Sequence, residues 1–178
     1  MEAEITTKVN RADEQFVSAR TVRQVICFGL GEETFAVDIY QVQEIIHIPH
    51  ITRIPGTRQF VEGAINLRGK IVPVMDLRKR FGLTPTGEHT RKNRIMVLTV
   101  HSNPVGLIVD FVNQVLQLTT EMLTPVPEMT LPVADENFIE SVASVNDELI
   151  MILDVNNIYT RVQSEAPHNN TGVTRPHG

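Results

Sequence analysis

The sequence predicts an all-β protein with a few short helices, arranged as two similar small barrels related by internal duplication. Three observations predict it. Short apolar runs follow one another at close spacing, divided by turn residues. Helix signals are few, and the segments that carry them are short. One stretch of seventeen residues recurs without a gap at an offset of 78.

Residues 1–20 lack a sustained apolar pattern and are expected to be a flexible extension. The first apolar run is Val22 to Leu30, closed by Gly29-Leu30-Gly31-Glu32. Phe35, Val37 and Ile39 then alternate with small or polar residues, as a half-buried strand requires. Gly63–Leu67 and Lys70–Met75 flank Arg68-Gly69, a two-residue hairpin turn in which glycine supplies positive φ. Arg94–Val100 and Val105–Asp110 flank Ser102-Asn103-Pro104, and Ile139–Val145 and Leu149–Leu153 flank Asn146-Asp147. Strands of this length and spacing are those of a sandwich or barrel.

Asp76-Leu77-Arg78-Lys79-Arg80-Phe81-Gly82 reads as a short helix. It has an Asp cap, an apolar i,i+4 pair, cations in the last turn and a terminating glycine. A second is expected from Asp154 to about Tyr159. Pro125, Pro127 and Pro132 exclude regular structure in the linker between the halves. Residues 161–178 carry almost no large apolar side chain and are expected to be a disordered tail.

The repeat runs from Phe60 to Asp76 and again from Phe138 to Asp154. Phe60 falls on Phe138, Glu62 on Glu140, the turn Arg68-Gly69 on Asn146-Asp147, and Asp76 on Asp154. Upstream, Ala36-Val37-Asp38-Ile39 resembles Ile108-Val109-Asp110-Phe111 at an offset of 72, as a change in loop length produces. Each copy is a five-stranded unit too small to bury much surface alone, so the two are expected to share a packed seam. The first barrel is expected over about 21–93 and the second over about 94–160. Both phenylalanines are expected in barrel cores.

Composition narrows function. The 178 residues carry a formal charge of −5, with 42% hydrophobic and 21% charged residues. A nucleic-acid or anionic-membrane surface needs a dense basic patch, and Arg78-Lys79-Arg80 and Arg91-Lys92 are short runs. The single cysteine, Cys27, sits in an apolar run and behaves as a small hydrophobe. Met1–Val9 shows no export signal and no stretch is apolar enough to span a bilayer, so a cytoplasmic protein is expected. The sequon Asn169-Asn170-Thr171 is then accidental.

Catalysis finds little support. His47-x-x-His50 is interrupted by Pro49 and has no further ligands beside it, so no metal is expected. There is no nucleophile elbow, P-loop or dinucleotide fingerprint. Asp38, Asp76, Asp110 and Asp154 fall at repeat-related strand ends, a pattern of helix caps and not of paired acid and base.

Gly63-Ala64-Ile65-Asn66-Leu67-Arg68-Gly69-Lys70-Ile71-Val72-Pro73-Val74-Met75-Asp76-Leu77-Arg78 is similar to the fingerprint of the CheW family, G-x-x-N-L-R-G-x-I-V-P-V-x-D-L-R. Thr34–Ile39 with Val42-Gln43-Glu44-Ile45 resembles the family's first hairpin and its V-x-E-I segment. Val105–Asp110 with Val112–Val115 resembles the hairpin of the second barrel. The resemblance covers about Val22 to Tyr159.

It implies two SH3-like five-stranded β-barrels without catalytic residues or cofactor. It implies a cytoplasmic scaffold, recruited to membrane-associated chemoreceptor arrays and not inserted in the membrane. The implied partners are methyl-accepting chemotaxis receptors, the regulatory domain of the histidine kinase CheA, and further CheW copies in array rings. Carried over residue by residue, receptor contact falls on Val42, Glu44, Arg68, Val112 and Val115, whereas kinase contacts fall on no single residues. Related adaptors serve non-motility chemosensory pathways, which is the alternative reading. CheV adds a phosphoacceptor receiver, for which the residues after Arg161 are too few.

The residues themselves agree with this placement. Arg68 tops a hairpin whose counterpart is Asn146, so the scaffold does not require a cation there. A guanidinium fork suits carboxylates or carbonyls of a partner. Val42 and Val115 follow the two Asp-led segments and would flank a groove for an amphipathic helix, unless both are ordinary core. Glu44 is expected to lie near Arg68 and restrain it.

Overall fold

The structure is a computed structural model that describes residues 22–84, 89–126 and 138–164. The expected N-terminal extension, most of the proline-rich linker and residues 165–178 of the expected tail lie outside the described residues. Eleven strands are described: β1 (Val22–Leu30), β2 (Glu33–Asp38), β3 (Val42–His47), β4 (Val61–Leu67), β5 (Lys70–Asp76), β6 (Arg94–Val100), β7 (Asn103–Val109), β8 (Phe111–Thr119), β9 (Leu123–Thr124), β10 (Ile139–Val145) and β11 (Glu148–Leu153). The helices are α1 (Leu77–Arg80) and α2 (Val155–Ser164).

Both helices begin as expected. Asp76 accepts from the N–H groups of Arg78 and Lys79, and Asp154 accepts from that of Asn157. The second helix continues to Ser164, which corrects the expectation of a disordered tail from 161. Val155 and Ile158 are fully buried, and they seat the helix on the core.

The strands form two SH3-like units. One sheet has the order β3-β6-β7-β5-β4, and the other has the order β8-β1-β2-β11-β10-β9. The second exceeds the expected five strands by β9, which has two residues. The duplication is visible in detail. The N–H of Asp76 donates to the carbonyl of Phe60 at 2.8 Å, and that of Asp154 to Phe138 at 2.9 Å. Bulges fall between Val61 and Gly63 and between Ile139 and Ser141. Both turns are left-handed at both positions, with φ of 51° and 83° at Arg68 and Gly69 and of 50° and 64° at Asn146 and Asp147. That is the type I′ geometry matching strand twist.

The division at residues 93 and 94 is not the division of the sheets. The hairpin β1–β2 shares its sheet with β8, β10 and β11, pairing directly with β8 and β11, and the hairpin β6–β7 shares its sheet with β3, β4 and β5, pairing directly with β3 and β5. With β1–β2 equivalent to β6–β7, the two sheet orders coincide strand for strand. Each half therefore gives its first hairpin to the other half's sheet. Parallel pairing of β2 on β11 and of β7 on β5 makes the exchange. Such pairing is set by contacts far apart in sequence, which local periodicity does not encode.

Alternation along the exchanged strands serves two cores. In β1, Val25 and Cys27 face a small core inside the larger sheet, while Ile26, Phe28 and Leu30 face a large shared seam. In β6, Ile95 and Val97 face the core of the five-stranded sheet, while Met96, Leu98 and Val100 face the seam. The expected seam is thus the principal hydrophobic cluster.

A file of rings crosses it, with centroid separations of 6.1 Å for Phe28–Phe35, 5.5 Å for Phe35–Phe81 and 6.2 Å for Phe81–Phe138. Phe138 is fully buried, but Phe60 is only half-buried, which corrects the expectation of two equivalent core rings. The guanidinium of Arg80 lies 4.8 Å from the Phe60 ring centre and 4.3 Å from that of Phe138. One cation thereby holds the two repeat-related rings.

Gly63 also breaks the repeat, standing where the second half has Ser141. Its φ is +144°, and a Cβ there would lie 2.1 Å from the carbonyl oxygen of Thr52. Thr52 pairs in both directions with Ala64 at 2.9 Å, covering the free edge of β4.

Candidate functional site

The five residues expected to contact a receptor lie on two outer strands and one hairpin tip. Val42 and Glu44 are on β3, the outer strand of the five-stranded sheet. Val112 and Val115 are on β8, the outer strand of the larger one. Arg68 tops the hairpin β4–β5.

Glu44 and Arg68 are brought together. A guanidinium nitrogen of Arg68 donates to a Glu44 carboxylate oxygen at 3.1 Å. Arg68 is 80% exposed and Glu44 is 23% exposed, so the pair contributes mainly orientation. Asn66 Oδ1 accepts from the Gly69 N–H at 2.9 Å and fixes the turn beneath them.

Val42 and Val112 both pack against the seam. Val115 is 52% exposed and sits opposite Ile26, whose side chain faces the seam. Each of the three valines therefore lies on the seam side of its own sheet, because directly opposed residues on neighbouring strands point the same way.

The two groups occupy opposite faces of β3. Residues two apart in a regular strand share a face. A bulge between Val42 and Glu44 sets Val42 opposite Leu98, which faces the seam, and Glu44 opposite Val97, which faces the other core. Val42 lies on the seam side of β3, and Glu44, with its partner Arg68, on the other side.

Sequence reasoning missed two neighbours. Ile45 is opposite Met96 on the seam face and is 38% exposed, while Ile71 beside the Arg68 turn is 67% exposed. The V-x-E-I segment contains Ile45, but only the bulge shows that it shares a face with Val42.

The four capping aspartates divide. Asp38, Asp76 and Asp154 cap as expected. Asp110 instead accepts from Arg78 and from the Gly31 N–H. Among the described residues no group of three or more His, Cys, Asp or Glu side chains is placed to hold a metal ion. A recess of about 380 Å³ is lined by residues that include Arg23, Asp38 and Glu140, and the arginine already pairs with both of these carboxylates. Among the described residues no helix is long and apolar enough to cross a membrane.

A duplicated all-β module with its candidate contacts on outer strands and a turn is the class that fold and site define. A CheW-like domain model matches residues 24–163, and the chain belongs to that family. It is 34% identical over 133 residues to the chemotaxis protein CheW of Klebsiella aerogenes, covering 75% of this chain and 79% of that protein. The crystal structure of the scaffolding protein TtCheW from Thermoanaerobacter tengcongensis superposes with a TM-score of 0.70 at 38% identity, covering 75% of this chain and 84% of that one. A shorter match, 34% over 85 residues, is to the protein PilI of Pseudomonas aeruginosa and covers 48% of this chain and 47% of that protein.

Proposed function

We propose that this protein is a non-catalytic scaffold, cytoplasmic and recruited to chemoreceptor arrays. It couples the cytoplasmic tips of methyl-accepting receptors to the regulatory domain of the histidine kinase CheA. Val42, Val112 and Val115 receive the apolar face of a receptor helix, and Arg68, steadied by Glu44, pairs with polar groups along its flank. Further copies of the chain take places in the array rings.

The observation that carries this reading is the state of Arg68. It stands exposed in left-handed backbone, with φ of 51°, where the second half uses Asn146. Arginine does not favour this conformation and asparagine does. The cation is thus kept at a cost to the fold, as expected of a contact residue.

The test is Arg68→Glu with a receptor-tip fragment and a CheA regulatory domain. Receptor binding is expected to be lost while kinase binding and melting temperature persist. Wild-type receptor affinity in this variant would remove the assignment. The likeness to PilI supports a second reading, an adaptor in a chemosensory pathway with a non-motility output. Deleting the gene and scoring chemotactic swimming separates the two, since loss of chemotaxis supports the first reading and unchanged chemotaxis supports the second.

A further inference from the structure

We propose that Asp110 and Arg78 are positioning residues that set the receptor groove by fixing where β8 leaves the seam; this rests on the proposed receptor reading.

Asp110 is the single residue between β7, in one sheet, and β8, in the other. Each of its polar groups is engaged. Its N–H donates to the Gly29 carbonyl at 3.0 Å. Its carbonyl accepts from Asn93 Nδ2 at 3.3 Å. Its Oδ2 accepts from the Gly31 N–H at 2.7 Å and from a terminal nitrogen of Arg78, and its Oδ1 accepts from Arg78 Nε at 2.7 Å. Arg78 is anchored in turn by donating to the Thr84 carbonyl at 2.8 Å.

These partners come from both units. Gly29 is near the end of β1 of the larger sheet and Gly31 directly follows that strand. Arg78 belongs to α1 and Asn93 precedes β6, both on the side of the five-stranded sheet. The carboxylate and guanidinium are 15% and 14% exposed, so their two-pronged pairing is little screened by water. Val112 follows Asp110 by two residues and Val115 by five. Any swing at Asp110 therefore shifts both valines against Val42 on β3.

The related crossover is built differently. Asp38 also receives an arginine, with Arg23 Nε at 3.0 Å, but Arg23 lies on β1 and its other partner Glu140 on β10, both within the larger sheet. Asp38 spends its remaining oxygen capping Tyr40 at 2.9 Å. It ties one sheet to itself, whereas Asp110 ties the two together on the side where β8 starts.

The test uses Asp110→Asn, which keeps the size and an acceptor but loses the charged fork, and Arg78→Lys, which keeps the charge and loses the fork. Spin labels at Gln43→Cys on β3 and Gln114→Cys on β8 report the spacing of the two edges, with buried Cys27 unlabelled. Each variant is expected to broaden the label distance distribution and to weaken receptor-tip binding about tenfold. Binding of a CheA regulatory domain is expected to stay within about twofold of wild type, by the same coupling argument.

A distribution and receptor affinity equal to wild type in a folded variant would overturn the inference. So would parallel loss of both partners, which marks a general loss of structure. If Asp110→Asn does not fold, Arg78→Lys decides. Normal binding by Asp110→Asn together with loss in Arg68→Glu removes this inference alone. A wild-type chain that binds no receptor fragment removes the receptor reading with it.

Discussion

Replacing Arg68 by asparagine is expected to make the protein more stable and unable to bind its receptor. Arg68 holds φ of 51° in the tight turn between β4 and β5, and its counterpart Asn146 holds 50°. Left-handed backbone costs an ordinary side chain about 1–2 kcal/mol, and asparagine relieves much of this by local hydrogen bonding. Against that stands the loss of the Glu44 pair, about 0.2–1 kcal/mol for so exposed a contact. Taken at mid-range, the difference is a net gain of about 0.5–1 kcal/mol. For a chain of this size that raises the melting temperature by roughly 1–4 °C.

Urea unfolding at an unchanged slope, with scanning calorimetry, reads the stability, and titration with a receptor-tip fragment reads the binding. Glu44→Gln tested alone and with Arg68→Asn isolates the pair. Destabilisation of Arg68→Asn by more than about 1 kcal/mol would refute the reasoning, because Arg68 would then be held by contacts stronger than the strain of the turn. Unchanged receptor binding would show that the strain serves some purpose other than contact.

Phe138→Ala is expected to lose about 3–5 kcal/mol in urea unfolding, and Phe60→Ala clearly less, since only the first ring is fully buried; equal losses would place both rings in equivalent cores. Burial pushes the Cys27 thiol from an ordinary 9.0 up to about 11. The folded chain then keeps a proton that the unfolded chain releases, so this contribution is whole below about pH 9 and falls by on the order of 2 kcal/mol as pH rises to about 11. Cys27→Ala should lack that alkaline decline, and an identical pH profile would exclude it. Separate fragments 1–84 and 89–178 are each expected to fail as folded monomers and to reconstitute a one-to-one complex when mixed; a cooperative melting transition from a monomeric fragment would contradict the hairpin exchange.

Where a strand is buried on both sides or paired on both edges, the sequence shows it plainly. Val22–Leu30, Arg94–Val100 and Ile139–Val145 have the same limits as runs of residues and as β1, β6 and β10. The turns at Arg68-Gly69 and Asn146-Asp147 are equally legible, because Gly69, Asn146 and Asp147 are residue types that left-handed positions select. The outer strands β3 and β8 left weaker marks. Their burial alternates between partial and none for most of their length, and their apolar residues are not regularly spaced by two, so no strand period announces them. Four of the five candidate contact residues lie on those two strands, and only the resemblance to a family drew attention to them.

The amino-acid order by itself determined that the chain is β-rich and doubled, where its hairpins turn and where its helices start, since each follows from contacts between near neighbours. Only the tertiary structure decided which hairpin joins which sheet, which face of β3 carries Val42 and which carries Glu44, and that Asp110 clamps the two units and caps no helix. Those outcomes depend on pairing between residues dozens of positions apart and on a single bulge. Neither leaves a periodic trace along the chain.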